Sequence, residues 1–432
     1  MFRFFFRIVL LACLVGPFVF GWAALQPDPI LPTSATMNPK MAVQARGFAK
    51  RVRDAMEAPP TQDGLVHISA SQAELNSGIA AASRLVRPLR GMSVVDENGV
   101  RVLVSGQIPK LADLGWVNFT AQVAPSAEGL EITEIKLGRM TLPPGLTVAA
   151  LRGVLNLAGP GEVGSVLLGS IESLSTESGK VVLTLDGGAA GGPPMFDKIK
   201  DGFRQIAGMS SADAVSAHYD AMSDAGRQGQ LPASGSSLPW IRFTLARVAE
   251  AEHETTADMR SDLDAAFLAL GAHCGDRRAL EAVVGELSSP QVQSPCAGTQ
   301  LLGRNDLRQH FTLSAALAAA GGAGASFGMG EVKELLDAGK SGGSGYSFDD
   351  IAMDRAGIAL IERASGGSPD ALAALVAKIK REGDVAPAIS GLPSQMSEAE
   401  FEARFGGVDT PAYQAQIAEI DARIDALAVH LP

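Results

Sequence analysis

The spacing of apolar residues changes along the chain, and this change most limits what the chain can fold into. Between 64 and 188, short runs rich in Val, Ile, Leu and Thr, such as Gly115–Ala124, are separated by turn sequences such as Ser178-Gly179; this pattern is typical of antiparallel strands. From Trp240 onward, apolar residues recur every three or four positions, as in Ile417–Leu431, which predicts amphipathic helices. The sequence therefore predicts an α+β fold class, with a mainly antiparallel sheet domain followed by an all-α domain.

The first 30 residues contain the longest apolar segment. An uncharged run of 18 residues, Ile8–Leu25, follows Arg3 and Arg7 and precedes Asp28. Its length is at the lower limit for crossing a bilayer, and the basic flank before it predicts a cytoplasmic N-terminus. We expect residues 1–30 to form a membrane anchor, with a cleaved signal segment as the alternative. This predicts a single-pass protein of a bacterial inner membrane, with the bulk of the chain in the periplasm.

Composition divides the rest of the chain into further segments. Asn38-Pro39 predicts the start of a helix, because Asn caps helices and Pro is favoured at the first helical position. Gly, Pro and Ser are dense at 187–194 and 229–239, which indicates a linker. We therefore predict a stalk helix at 31–63, the α+β sheet domain at 64–188, a linker with helical pieces at 189–239 and an acidic helical domain at 240–432.

Charge is distributed unevenly along the chain. The net charge is −11, and residues 237–432 carry 27 acidic and 16 basic side chains, whereas residues 1–63 have a net charge of +3. An acidic chain with 3 Trp and 3 Tyr lacks the basic surface and the stacking rings that nucleic acids require. We expect no nucleic-acid partner. The basic end favours a membrane, and the acidic domain favours a cationic partner or a divalent ion.

Two cysteines lie close together in the second half of the chain. Cys274 and Cys296 are 22 positions apart and are bordered by Gly275 and Pro295. In an oxidising compartment such a pair predicts a disulfide, and closing a loop of this length is worth about 3 kcal/mol. Two unrelated buried thiols are the alternative.

The segment 303–357 combines one histidine with several acids. Three helices are expected here: one beginning near Asn305-Asp306, one that holds Glu331, Glu334 and Asp337 with Glu331 in its first turn, and one capped by Ser347. If the helices pack together, an imidazole and several carboxylates converge beside Ala- and Gly-rich surfaces. This set suits a divalent metal ion or a carboxylic acid that acts as a general acid. The candidate metal ligands are His310, Glu331, Glu334, Asp337, Asp350 and Asp354.

Several of these residues also fit a purely structural interpretation. Acids in the first turn of a helix are favoured by capping and by the helix dipole, and the spacing of Lys333 and Asp337 predicts a surface ion pair. His310 fits a hydrogen-bonded core histidine. Glu334 and Asp354 are expected mid-helix beside apolar residues and fit no cap, so with His310 they form the candidate catalytic set.

Three short motifs follow one another in this segment: His310-Phe311, then Gly330–Glu334 with Asp337, then Gly345–Asp350 with Asp354 and Gly357. Their order resembles a pattern in bacterial envelope lipoproteins and VanZ-like membrane proteins. Those families are associated with the cell envelope and mostly have no established reaction. The resemblance therefore implies a location rather than a mechanism.

Two functions are consistent with these features. The first is a membrane-anchored envelope protein without catalytic activity, which binds a lipid or an envelope protein partner or acts as a scaffold. The second is a hydrolase acting on lipid or cell-wall material, in which His310, Glu334 and Asp354 are metal ligands or acid–base groups; its cofactor would be a divalent metal ion. The second function requires these three side chains to meet within about 5 Å in an open pocket.

Overall fold

The structure is a computed structural model, in which the chain divides into two compact units. The first unit comprises 1–37 and 44–199, and the second comprises 38–43 and 200–432. The predicted mixed α/β chain with a mainly antiparallel sheet is confirmed. The residues that the structure describes are 22–31, 37–57, 63–85, 89–107, 112–143, 148–149, 152, 165, 168–187, 212–278, 281, 294–339 and 343–431.

The first unit contains two sheets, whose strands are β1 (Leu25–Gln26), β2 (Leu65–Ser71), β3 (Leu89–Asp96), β4 (Gly99–Gly106), β5 (Trp116–Ala124), β6 (Glu131–Leu137), β7 (Met140–Leu142), β8 (Ile171–Glu177) and β9 (Lys180–Asp186). The larger sheet has the order β3-β4-β5-β6-β7, with β1 beside β5, and the smaller has the order β2-β9-β8. All of these pairs are antiparallel. The turn predicted at Ser178-Gly179 joins β8 to β9, and both of its residues have positive φ (51° and 74°), as a tight two-residue hairpin turn requires.

Two long helices accompany these strands in the first half of the chain. Helix α1 (Pro39–Glu57) begins at the predicted residue, and the side chain of Asn38 caps it by accepting a hydrogen bond from the Met41 amide at 2.9 Å. Helix α2 (Gln72–Leu85) follows β2. The core beside the smaller sheet is apolar and includes Ala70, Val100, Leu174 and Val181.

The predicted single-pass location in the inner membrane is wrong: within the described residues, no helix has the length and hydropathy needed to cross a bilayer. Residues 8–21 of the apolar run lie outside the described part of the chain. The described end of the run enters β1, where Leu25 pairs with Val117 and its carbonyl accepts a hydrogen bond from Arg139 at 2.9 Å. The backbone here is thus satisfied by a sheet and an arginine, whereas a membrane helix would satisfy it internally.

The second unit is helical. Its helices are α3 (Ala212–Arg227), α4 (Leu238–Glu250), α5 (Thr256–Cys274), α6 (Asn305–Gly321), α7 (Ala323–Ala338), α8 (Phe348–Ser365), α9 (Pro369–Lys378), α10 (Glu398–Phe405) and α11 (Pro411–Asp425). Two short strands, β10 (Gly235–Ser236) and β11 (Thr299–Gln300), pair in parallel. Of the segment predicted as a linker, 189–211 lies outside the described residues, and the rest contains α3 and β10.

Helix α6 packs against both α5 and α8, and these contacts form the centre of the second unit. Leu263, Phe267 and Leu270, which the sequence places on one face of α5, are fully buried. At the end of α5, Cys274 lies at disulfide-bonding distance from Cys296, with Cα atoms 5.1 Å apart, as predicted. This link holds the segment before α6 against α5.

The approach of α8 to α6 requires a glycine. A Cβ atom added at Gly357 would lie 2.2 Å from the backbone oxygen of Phe311, a distance that backbone atoms cannot accommodate without moving apart. The two helices therefore approach closely at the residue that follows His310. This close contact positions the functional side chains of both helices.

We predict that Gly357→Ala lowers the free energy of unfolding by about 1–3 kcal/mol, the usual range for adding a methyl group to a packed core. The measurement is chemical denaturation followed by circular dichroism. The matched control is Gly324→Ala in α7, where an added Cβ has no atom within 4 Å, so no loss is expected. Equal stability of the two variants would contradict a tight contact at Gly357.

Candidate metal centre in the helical unit

Three helices converge on one buried cluster, and each contributes two residues one turn apart. Residues four apart lie on the same face of a helix, so each pair faces the same point. The pairs are His310 and Ser314 on α6, Gly330 and Glu334 on α7, and Asp350 and Asp354 on α8.

The turns between the helices fix where each one begins. Gly322 separates α6 from α7 with a φ of 87°, a backbone conformation that side chains with a Cβ rarely adopt. Helix α8 begins after Ser347, whose hydroxyl accepts a hydrogen bond from the Asp350 amide, as the capping prediction requires. Just before it, the backbone of Tyr346 pairs in both directions with that of Met396, at 2.7 and 2.9 Å. These contacts set the position at which Asp350 and Asp354 face α6.

The imidazole of His310 lies at the centre of the cluster. Its Nδ1 is 3.0 Å from Asp354 Oδ1, and the same oxygen accepts a hydrogen bond from the Ser314 hydroxyl at 2.6 Å. A carboxylate at Nδ1 favours a proton on that nitrogen, so in the neutral imidazole the lone pair is on Nε2. That nitrogen is 3.5 Å from Asp350 Oδ2 and 3.7 Å from Glu334 Oε1.

His310, Glu334 and Asp350 have the geometry of a metal-ligand set. Each offers one ligand atom, and the three atoms all lie within 4.8 Å of one another. Two ligands of a tetrahedral Zn²⁺ are about 3.4 Å apart, given bonds of about 2.0–2.2 Å. The distances from Nε2 to the two carboxylate oxygens, 3.5 and 3.7 Å, therefore need only a small contraction to enclose an ion. The bond from Asp354 to His310 is the outer-sphere contact that commonly orients such a histidine.

The cluster is enclosed by protein. The exposed fractions of His310, Glu334, Asp350 and Asp354 are 8%, 0%, 5% and 1%. Asp354 Oδ2 is buried and accepts no hydrogen bond from the described residues, although buried carboxylate oxygens normally have a partner. A Cβ added at Gly330 would lie 2.5 Å from this oxygen, so a larger residue at this point of α7 would displace the Asp354 carboxylate.

Burial and charge act in opposite directions on the pKa values of this site. Burial lowers the pKa of His310, but the charge of Asp354, the hydrogen bond to it and the charge of Asp350 together raise it to about 9. Burial also raises the pKa of Glu334, against the nearby charge of Lys333, and it raises the pKa of Asp350. The cluster thus favours positive charge on the imidazole and resists negative charge on its carboxyl groups.

Lys333 covers the cluster on its outer side. Its ammonium donates to Glu334 Oε1 at 2.8 Å and to Asp337 Oδ2 at 3.0 Å, and it lies 3.2 Å from His310 Nε2. Its side chain is 49% exposed. The ion pair predicted between Lys333 and Asp337 is thus present, but its lysine also reaches the buried cluster.

The acids at the start of α6 and α8 bind an arginine. Arg304 donates to Asp349 Oδ2 at 2.7 Å and to Asp306 Oδ2 at 2.6 Å, and it lies 3.5 Å from Asp350 Oδ1. Its charge and hydrogen bonds lower the pKa of Asp306, against the effect of burial. Asp350 is therefore shared between Arg304 and His310, whereas Asp349 faces the arginine.

Two of the predicted metal ligands lie elsewhere. Glu331 is fully buried and accepts a hydrogen bond at 2.7 Å from the hydroxyl of Tyr413, which in turn contacts the hydroxyl of Tyr346 at 2.9 Å. Asp337 contacts the ammonium of Lys333 at the edge of the cluster. The structure therefore brings His310 together with Glu334, Asp350 and Asp354, while Glu331 belongs to a separate network of tyrosines.

Sequence reasoning missed three participants. Ser314 lies one turn after His310, so helical spacing alone could have identified it as a neighbour of the site. Arg304 has Asp306 two positions away, but its contact with Asp349 spans 45 positions. The contact of Tyr413 with Glu331 spans 82 positions and has no signal in the sequence.

We predict a pH dependence of stability that is specific to His310. The pKa of the folded state, about 9, lies above the ordinary value of 6.5, so the stabilisation from His310 is complete below about pH 6.5 and is lost as the pH rises through 9. The difference in free energy of unfolding between the wild type and His310→Gln should fall by about 3 kcal/mol between about pH 6 and pH 10. The measurement is urea denaturation in the presence of a chelator.

The matched control for this pH series is His430→Gln. Burial lowers the pKa of His430, so its contribution should not fall as the pH rises. A difference between wild type and His310→Gln that stays constant over this range would contradict the charged interaction of His310 with Asp354 and Asp350.

Comparison with known proteins gives no relative: no family model, no curated protein and no solved structure matches the chain. The resemblance of residues 303–357 to envelope lipoproteins and VanZ-like proteins therefore stays a prediction. What the second unit can do chemically follows from its side chains alone.

Proposed function

We propose that the helical unit binds one divalent transition-metal ion through His310 Nε2, Glu334 and Asp350. The observation that carries this proposal is the orientation of His310: Asp354 holds Nδ1 at 3.0 Å, and Nε2 faces two buried carboxylates at 3.5 and 3.7 Å. An ion held there binds all three helices at once. It would stabilise the packing of α6, α7 and α8, which otherwise places several carboxylates close together.

The ligand chemistry favours a particular class of ion. One imidazole nitrogen with two carboxylate oxygens suits Zn²⁺, Mn²⁺, Co²⁺ or Ni²⁺. Ca²⁺ prefers six to eight oxygen ligands, and Mg²⁺ retains several waters, so neither matches a dry site built around an imidazole. Zn²⁺ is therefore the first ion to test.

The burial of the site favours a binding role over a hydrolytic one. His310 contacts both Glu334 and Asp354, but each of the three is at most 8% exposed, whereas the hydrolase hypothesis requires an open pocket. An ion needs no such opening once it is bound. We infer a non-catalytic cation-binding unit; the binding of a lipid or protein partner stays a prediction from sequence.

The test is titration of the full chain with Zn²⁺, measured by isothermal titration calorimetry and by native mass spectrometry. We expect one ion per chain and a higher melting temperature when it is bound, because a ligand that binds only the folded state stabilises it. Substituting a ligand in His310→Ala or Asp350→Asn should weaken binding at least about tenfold.

The matched control is Asp349→Asn, which removes the same charge one residue away from a carboxylate that faces Arg304. The affinity of Asp349→Asn for Zn²⁺ should stay within about twofold of that of the wild type. Binding that is equal in wild type and both ligand variants would place the ion elsewhere and contradict the proposed site. The proposal fails outright if neither wild type nor Asp349→Asn binds any of the four transition-metal ions.

A further inference from the structure

Lys333 places its charge where the proposed ion would bind. Its ammonium is 2.8 Å from Glu334 Oε1 and 3.2 Å from His310 Nε2, two of the three proposed ligand atoms. The ammonium thus lies against the same ring nitrogen that a metal ion would use. A metal ion and the Lys333 ammonium therefore cannot occupy the site together.

The side chain of Lys333 can leave the site at little cost. It is 49% exposed, and Asp337 lies one turn further along α7 with 28% of its side chain exposed. The ammonium already contacts Asp337 at 3.0 Å. When Lys333 turns outward, it can keep this ion pair and give up only its contacts with Glu334 and His310.

Resting on the function proposed above, we propose that Lys333 is a built-in competitor for this metal site, which makes the site selective. An ion binds only if its affinity for His310, Glu334 and Asp350 exceeds that of the tethered ammonium. Ions that form strong bonds to imidazole meet this condition, and hard cations such as Mg²⁺ and Ca²⁺ do not. The lysine also neutralises Glu334 when no ion is bound, so the three helices stay packed in both states.

The factor by which Lys333 weakens metal binding depends on the fraction of time that the site is free of the ammonium. An apparent dissociation constant equals the intrinsic one divided by the fraction of the protein that can bind. A lysine that occupies the site for about 90–99% of the time therefore weakens binding by about 10- to 100-fold. Removing the ammonium should therefore strengthen metal binding by the same factor.

The experiment compares full-length wild type, Lys333→Met and Lys380→Met by calorimetric titration with Zn²⁺ and with Mg²⁺. Methionine keeps an unbranched apolar side chain and removes the ammonium with its charge and its N–H donors. Lys380 follows α9 and takes no part in the cluster, so Lys380→Met controls for the general loss of positive charge from an acidic unit. Circular dichroism and thermal unfolding of each variant show whether it is folded.

We expect Lys333→Met to bind Zn²⁺ at least about tenfold more tightly than wild type, and Lys380→Met to stay within about twofold. We also expect Mg²⁺, which this ligand set does not suit, to bind wild type not at all and Lys333→Met far more weakly than Zn²⁺ does. If Lys333→Met is unfolded without metal, its refolding by Zn²⁺ is the readout, and Lys333→Gln replaces it in the titration.

The possible outcomes separate this inference from the proposed function. Equal Zn²⁺ affinity in wild type and Lys333→Met overturns the competition by Lys333 and leaves the metal site standing. Binding by Lys333→Met alone supports the competition and overturns metal binding by the native chain. Binding by neither overturns both.

Discussion

The close contact between α6 and α8 at Gly357 and Phe311 is the constraint on which the rest of the helical unit depends. Phe311 follows His310 in α6, and Gly357 lies three residues after Asp354 in α8, so this close contact adjoins the bond between His310 and Asp354. A methyl group at Gly357 would push the two helices apart. The 3.0 Å contact that orients the imidazole thus adjoins the point where the absence of a side chain lets the two helices approach.

The same packing buries several carboxylates, and cationic side chains lie beside them to balance their charge. Glu334, Asp350 and Asp354 are almost fully removed from water, where isolated carboxylates are unstable. His310 lies between them, Lys333 reaches in from the outer side, and Arg304 contacts the far oxygen of Asp350 at 3.5 Å. A divalent ion would concentrate positive charge at one point among these ligands. The site thus combines strong attraction for cations with a protein cation that already contacts it.

Local features of the chain were predicted well from the sequence, and long-range ones only in part. The starts of α1 and α6, the cap at Ser347 and the pair of Lys333 with Asp337 all depend on residues at most four positions apart. From the sequence, a site at His310 could be predicted only on the condition that the three helices pack together. Glu331 shows why: it shares a helical face with Glu334 by spacing alone, yet Tyr413 holds its carboxylate in a separate network.

The sequence by itself determined the division into a strand-rich and a helix-rich part, the cysteine pair and the set of polar residues from which a site could be built, because these depend on local spacing and side-chain chemistry. Only the tertiary structure decided which of those residues meet. It brought His310 to Asp354 across 44 positions and placed Leu25 in a sheet beside Val117, where apolar content alone predicts a membrane helix. Contacts of this kind depend on how closely the backbones of distant segments approach one another. The spacing of apolar residues along the chain does not encode that separation.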